Sequence, residues 1–218
     1  MATWLESVNS VQKRLRETQT ASVTTTAYST LIGEFVNQAK REVEDAWNWS
    51  FLRQNINVTT ANGTSQYTLT GSSSRTRMFG NREAYDDTND VILREVNDAF
   101  FDRVTYIGTT QTGNPVYFRF RGISSKEKQV ELYPTPNGVA TVRFPMIVPQ
   151  SDIAVDGTEI TVPEHPIVMR AWALAVTERG EDGGANYAEI DQMAREALGD
   201  AVSQDAAQFP GEMEWYAD

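Results

Sequence analysis

The feature that most constrains this chain is a hydrophobic period that changes twice. Apolar residues recur every three or four positions across residues 1–53, alternate across much of residues 54–147, and return to helical spacing across residues 148–208. Helices that open and close a chain bury their apolar faces on each other or on whatever lies between them. The economical solution is one helical body that the strand block leaves and re-enters. The expected fold is α+β: a four-helix bundle made from the N- and C-terminal helices (residues 1–53 and 148–208), an inserted antiparallel β-sandwich or barrel (residues 54–147), and a C-terminal extension (residues 209–218).

Local signals fill in this plan. Thr3-x-x-Glu6 reads as a capping box, followed by Trp4, Val8, Val11 and Leu15 on one helical face. A second helix runs from near Ala27 to about Trp49, with Tyr28, Leu31, Ile32, Phe35, Val36, Ala39, Val43 and Ala46 inside and Lys40, Arg41, Glu42 and Glu44 outside. Ile56 and Val58, the hairpin signal Asn62-Gly63, then Tyr67 and Leu69 open the β block. Strands are predicted near Arg75–Phe79, Val91–Leu93, Val116–Arg121, Gln129–Tyr133 and Ala140–Ile147, six to eight in all, with a brief helix between Glu95 and Tyr106. Thr161-x-x-Glu164 reads as a second capping box before a helix that stops at Gly180. A last helix starts near Asn186 with the stripe Ile190, Met193, Ala194, Ala197, Leu198, Ala201 and Val202.

Charge excludes one large class of function. The net charge of −11 sits wholly in the C-terminal third, where residues 148–218 hold three basic and fifteen acidic side chains. A duplex binder presents a basic stripe, so this distribution argues against stable DNA binding. The absence of cysteine removes disulfides, thiolate metal sites and cysteine nucleophiles. No apolar run is long enough to span a membrane, and Met1–Glu6 lacks the basic and apolar segments of a secretion signal, so no membrane partner is expected. The sequons at Asn48, Asn57 and Asn62 read as chance matches.

Candidate chemistry is sparse. His165, the one histidine, stands at a helix start beside Glu164 with no nucleophile motif near it, and reads as a capping or surface residue. Asp86-Asp87-Thr88-Asn89-Asp90 lacks the central glycine and closing glutamate of a calcium loop and reads as a solvated turn. Trp47, Trp49 and Phe51 form either the core where helices meet sheet or a ligand-stacking platform. Phe209, Met213, Trp215 and Tyr216 lie beyond a proline and a glycine. They either fold back on their own subunit or anchor in another chain, and the intermolecular use is preferred because large aromatics dominate interfaces. No catalytic residue, metal ligand or cofactor site is assigned, and the chain reads as a non-enzyme.

Three stretches carry a family resemblance: Ala39–Trp49 at the end of the second helix, the strand–turn run Gly113-Asn114-Pro115 to Val130–Pro136, and Val162-Pro163-Glu164 with the helix after it, through Glu178–Asp182. In order and spacing they resemble the head-to-tail adaptor proteins of short-tailed bacteriophages, the tail tubular protein A or gatekeeper-like group. Residues 72–90 and the last ten residues depart from that pattern.

The resemblance implies a helical bundle with an inserted β domain. It implies a homo-oligomeric ring, a dodecamer, at the head–tail junction of a virion assembled in the host bacterial cytoplasm. That ring would sit between portal protein and tail nozzle protein, with tail fibres as a further neighbour, and pass genomic DNA without holding it. Portal docking would fall to Phe209, Met213, Trp215 and Tyr216. The acidic third independently suits a conduit wall, with Glu189, Asp191, Glu196 and Asp200 as lining residues. Arg75, Arg77, Arg82, Arg119 and Arg121 would either meet the nozzle or a neighbouring copy, or serve as ordinary solvated charges. The alternative readings are a carbohydrate-binding or glycan-cleaving tail protein built on the β block, and another neck or stopper protein.

Overall fold

A computed structural model describes residues 2–106, 111–180 and 185–208, with side chains described from Tyr187 in the last segment. In chain order the elements are α1 (Trp4–Arg14), α2 (Ala27–Ala46), β1 (Arg53–Thr59), β2 (Gln66–Thr68), β3 (Arg77–Met78), β4 (Glu83–Asp86), β5 (Val91–Glu95), α3 (Asp98–Tyr106), β6 (Tyr117–Ser124), β7 (Glu127–Tyr133), β8 (Thr141–Ile147), α4 (Glu164–Arg179) and α5 (Ala185–Gln208). The class is α+β. The chain divides into two compact units, one from Met1–Phe51 with Gln150–Asp218 and the other Leu52–Pro149.

In the helical unit, α4 packs against α1, α2 and α5, and α1 packs on α2. That position explains why α4 is buried on several sides, at Pro166, Ile167, Val168, Met169, Ala171, Ala173 and Ala175. The α1 capping box forms, with the Thr3 amide donating to Glu6 Oε2 at 2.7 Å. Trp4, Val8 and Val11 of α1 and Ile32, Val36, Ala39 and Val43 of α2 are buried along the stripes read from the sequence. Gly33 of α2 lies against the Trp4 ring of α1, and the Trp4 indole donates to its carbonyl at 3.4 Å.

The segment returning from the β unit is stitched to both N-terminal helices. The Trp4 and Leu5 amides, unpaired within their own first turn, donate to the carbonyls of Thr158 and Asp156. On α2, residues 37, 40, 41 and 44 present one polar face to residues 150–153. Asn37 exchanges two hydrogen bonds of 2.9 Å with Ile153, and Arg41 grips Asp152 at 2.8 and 2.7 Å. Lys40 Nζ donates to the carbonyls of Gln150 and Ser151 at 2.8 and 2.9 Å and to Glu44 at 3.3 Å, and Glu44 accepts from the Gln150 amide. Both ionic side chains are 0% exposed, which corrects the expectation that Lys40 and Glu44 face water. The backbone of this returning segment needs hydrogen-bond partners, and these two side chains supply them.

The second unit is one nearly closed, barrel-like sheet of eight strands in the order β1-β8-β4-β5-β6-β7-β2, with β3 on β8. Its core is Ile56, Val58, Leu69, Ala84, Leu93, Phe118, Val130, Leu132, Val142, Phe144 and Met146. Phe118 meets Phe144 edge to face at 5.3 Å.

Two expectations for this unit need correcting. The sheet is not wholly antiparallel, because α3 lies between β5 and β6 and brings the chain back in the same direction, so that pair is parallel. Asn62-Gly63 does turn the chain, with Gly63 at φ +77°, but β1 ladders to β8 and β2 to β7 rather than to each other. β4 lies in a stretch given no element, and it ends at Asp86, the first residue of the run read as a solvated turn, which is buried and whose carboxylate accepts from the amides of Thr88 and Asn89.

Two further corrections fall in the helical unit. α4 begins at Glu164 with Pro163 as its cap and no side-chain capping bond, so the Thr161 box does not form. Its glutamate is the first helical residue instead of the third. Trp49 is fully buried, while Trp47 and Phe51 stay partly exposed on either side of it, so the three rings do not share a face. A 3₁₀ turn at Ser50–Leu52 breaks the extended geometry that would have aligned them.

Candidate functional site

The acidic residues assigned to a conduit wall lie on α5, and the helix sorts them. At about 100° per residue, positions 189, 193, 196 and 200 fall within about 60° of one another, whereas position 191 lies about 200° from 189. Glu189, Glu196 and Asp200 are exposed, with Met193 between them at 42% exposure. Glu196 accepts from Gln192 one turn back at 2.9 Å. The three carboxylates make an acidic strip that faces away from α4.

Asp191 belongs to the opposite side. It accepts from Arg170 at 2.6 Å and from Arg195 at 2.9 Å, and Arg170 in turn holds Glu42 of α2 at 2.6 Å. The hydrogen bond to Glu42 raises the Arg170 pKa further above its usual value, against the opposing effect of its partial burial. Asp191 is thus neutralised within the helical unit, joining α2, α4 and α5.

A second carboxylate on α5, Asp205, is buried. It accepts from the Trp47 indole at 3.0 Å, the Ser50 amide at 3.2 Å and the Ser50 hydroxyl at 2.5 Å. This contact ties α5 to the chain just after α2. Asp205→Asn keeps the shape but removes the charge and turns a donor toward donors. It is expected to cost about 1 kcal/mol in urea unfolding.

Among the arginines of the β unit, Arg119 is committed internally. Its guanidinium reaches Asp102 at 2.7 Å, Glu131 at 3.0 Å and Asp98 at 3.4 Å, and lies 4.4 Å over the Phe101 ring. Burial works against its charge, but the bonds to Asp102 and Glu131 outweigh this and raise its pKa. Arg121 shares Glu131 at 3.3 Å while half exposed. Arg82 is exposed and reaches Glu95 at 3.5 Å. Arg75 and Arg77 are half-buried and each has a partner within the chain. The five therefore do not form one basic surface.

The proline- and glycine-rich runs meet at loops of the β unit. The Gly113 amide donates to Thr135, the Thr135 amide to Gln111, the Gly63 amide to Pro136, and the Thr60 hydroxyl to Gly138. The Tyr133–Pro134 peptide is cis. These spacings are the signature of three loops tied together. The hollow they enclose is about 90 Å³, lined by Thr60, Asn89, Asn114 and Pro136 among others. That is far below the roughly 300 Å³ of a small-molecule site.

The deciding comparison is with protein families. The model described as SU10 adaptor protein matches residues 2–214. The chain belongs to the SU10 adaptor protein family. The resemblance to phage head-to-tail adaptors therefore holds across nearly the whole chain, and this adaptor is a structural component of a virion. The family is one of structural adaptors and not an enzyme class. No curated protein matches the chain. Among the described residues, no helix is long and apolar enough to cross a membrane. His165 is exposed at the start of α4. Phe209, Met213, Trp215 and Tyr216, read as the docking residues, lie outside the described residues.

Sequence reasoning missed the Lys40–Glu44 pair, the Arg170 hub and Asp205. For the first, a signal existed: residues 37, 40, 41 and 44 are polar at helical spacing beside the apolar stripe 32, 36, 39 and 43. That marks a second packed face where a solvated one was read.

Proposed function

We propose that copies of this adaptor close into a ring, a dodecamer, at the head–tail junction, joining portal protein to tail nozzle protein and forming part of the channel through which DNA leaves the capsid. In this reading the helical unit, as a four-helix bundle, builds the ring. The loops of the β unit face the nozzle or tail fibres, and the segment holding Phe209, Met213, Trp215 and Tyr216 engages the portal. Arg82 and Arg121, the more exposed of the arginines, are the candidates for contact with the nozzle or a neighbouring copy.

The observation that carries the channel reading is the α5 strip of Glu189, Glu196 and Asp200. A conduit must pass DNA without binding it, and fixed carboxylates on its wall repel phosphate within a Debye length of about 8 Å. Asp191 leaves the set, since Arg170 and Arg195 neutralise it. The triple variant Glu189→Lys/Glu196→Lys/Asp200→Lys is expected to assemble normally and slow DNA ejection, measured by dye release from single virions. An unchanged ejection rate would remove the strip from the channel wall. Native mass spectrometry of the adaptor mixed with its cognate portal tests the ring itself, and a complex without multiple adaptor copies would refute it.

No observation favours the carbohydrate reading. Its three-ring platform needs Trp49 at the surface, and Trp49 is fully buried.

A further inference from the structure

We propose that Asn137 is a site of spontaneous covalent modification: it closes on the Gly138 amide to a cyclic imide, which water opens to aspartate or isoaspartate. Asn-Gly pairs favour this chemistry because glycine has no Cβ to obstruct the asparagine side chain as it approaches the next nitrogen. Among the described residues the chain has two such pairs, Asn62-Gly63 and Asn137-Gly138, and one Asp-Gly pair, Asp156-Gly157. The sequence offers both asparagines. Hydrogen bonding separates them.

The reacting atoms are the glycine amide nitrogen and the side-chain carbonyl carbon of the residue before it. That nitrogen must lose its proton and any hydrogen bond before it attacks. At Gly63 the proton is committed, because the amide donates to the Pro136 carbonyl at 2.9 Å. The turn around it is clamped as well: the Ala61 amide donates to the Tyr67 hydroxyl at 2.9 Å, and that hydroxyl donates to the Thr64 carbonyl at 2.7 Å. Pro136 is buried, so freeing Gly63 leaves a carbonyl unpaired and slows closure at Asn62 about ten-fold. At Asp156 the carboxylate is occupied by the Val23 amide at 3.2 Å, and its carbonyl accepts from the Leu5 amide at 3.1 Å.

Asn137 has neither restraint. Its side chain is exposed, and among the described residues neither its carboxamide nor the Gly138 amide makes a hydrogen bond. A Cβ added at Gly138 would meet nothing within 4 Å, so the asparagine side chain has room to fold over the nitrogen. Thr60 holds Gly138 by its carbonyl alone, at 2.9 Å, which leaves the reacting nitrogen free. The steps need only base and water. Base removes the Gly138 amide proton, the nitrogen bonds to the Asn137 side-chain carbonyl carbon, and the carboxamide carbon–nitrogen bond breaks to release ammonia. Water then opens the imide at either carbonyl. Each conversion adds a negative charge to the loops of the β unit, and the isoaspartate form also threads the side-chain carbon into the main chain.

The test is to age the full-length chain in mildly alkaline buffer, natively and in urea, and map it by mass spectrometry. The tryptic peptides Gln54–Arg75 and Gln129–Arg143 carry Asn62 and Asn137 separately. In the native chain Asn137 is expected to convert about ten-fold faster than Asn62, and in urea the two rates are expected to converge. Gly138→Ala fits the space and the backbone there, so it is expected to slow conversion at Asn137 while circular dichroism and the Asn62 rate stay unchanged. Equal rates in the native chain, or conversion led by Asn62, overturn the proposal. So does an Asn137 that stays intact in the native chain while the unfolded chain converts, or a Gly138→Ala protein that converts as fast as the parent.

Discussion

Replacing Lys40 with Ala is expected to lower the stability of the helical unit by about 3–5 kcal/mol, the largest loss from any single surface-type residue in this chain. Lys40 and Glu44 are both fully buried, so removing the ammonium takes away the cation that stands 3.3 Å from the Glu44 carboxylate. It also orphans the carbonyls of Gln150 and Ser151, each within 2.9 Å of Nζ. The readout is selective, because all five tryptophans (Trp4, Trp47, Trp49, Trp172 and Trp215) lie outside Leu52–Pro149. Indole fluorescence during urea unfolding therefore follows the helical unit. The double variant Lys40→Met/Glu44→Leu is expected to recover only part of the loss. It removes both charges, but the two carbonyls and the Gln150 amide still lack partners. A Lys40→Ala protein with an unchanged urea midpoint would show that water reaches the site and that the clamp contributes little.

The same residues show what the sequence could and could not reveal. Helix positions, the stop at Gly180 and most strands were legible because period and turn chemistry are local properties. The direction of β6 was not, since it depends on where α3 packs, and β4 was hidden in a polar stretch whose Ala84 and Asp86 point inward. Lys40 and Glu44 look solvated in any one-dimensional reading, because the partner that buries them lies more than a hundred residues away. The candidate channel strip fared unevenly for a related reason. Its residues were chosen by charge, but only helical phase separates Asp191, paired to Arg170, from Glu189, Glu196 and Asp200. That phase was available in the spacing. The arginine that neutralises Asp191 comes from another helix and was not.

Gly33→Leu is expected to destabilise the helical unit by about 3 kcal/mol, toward the upper end of the range for overpacked cores. A Cβ at this position would stand 2.6 Å from Val23 Cγ1 and 2.8 Å from Trp4 Cζ2, both inside contact distance. Neither neighbour can yield cheaply. Val23 is fully buried and stiff at χ1, and the Trp4 ring is buried with its indole nitrogen bonded to the Gly33 carbonyl. The helix propensity gained by replacing glycine, at most about 1 kcal/mol, acts the other way and is too small to reverse the sign. The decisive form of the test is a double-mutant cycle with Val23→Ala. That change alone opens a cavity and costs stability, so if the clash is the cause, Gly33→Leu/Val23→Ala will be more stable than the sum of its single effects predicts. Strict additivity would mean that α1 and α2 move apart without resistance. The packing of Trp4 and Val23 on Gly33 would then not be what fixes α1 against the rest of the helical unit.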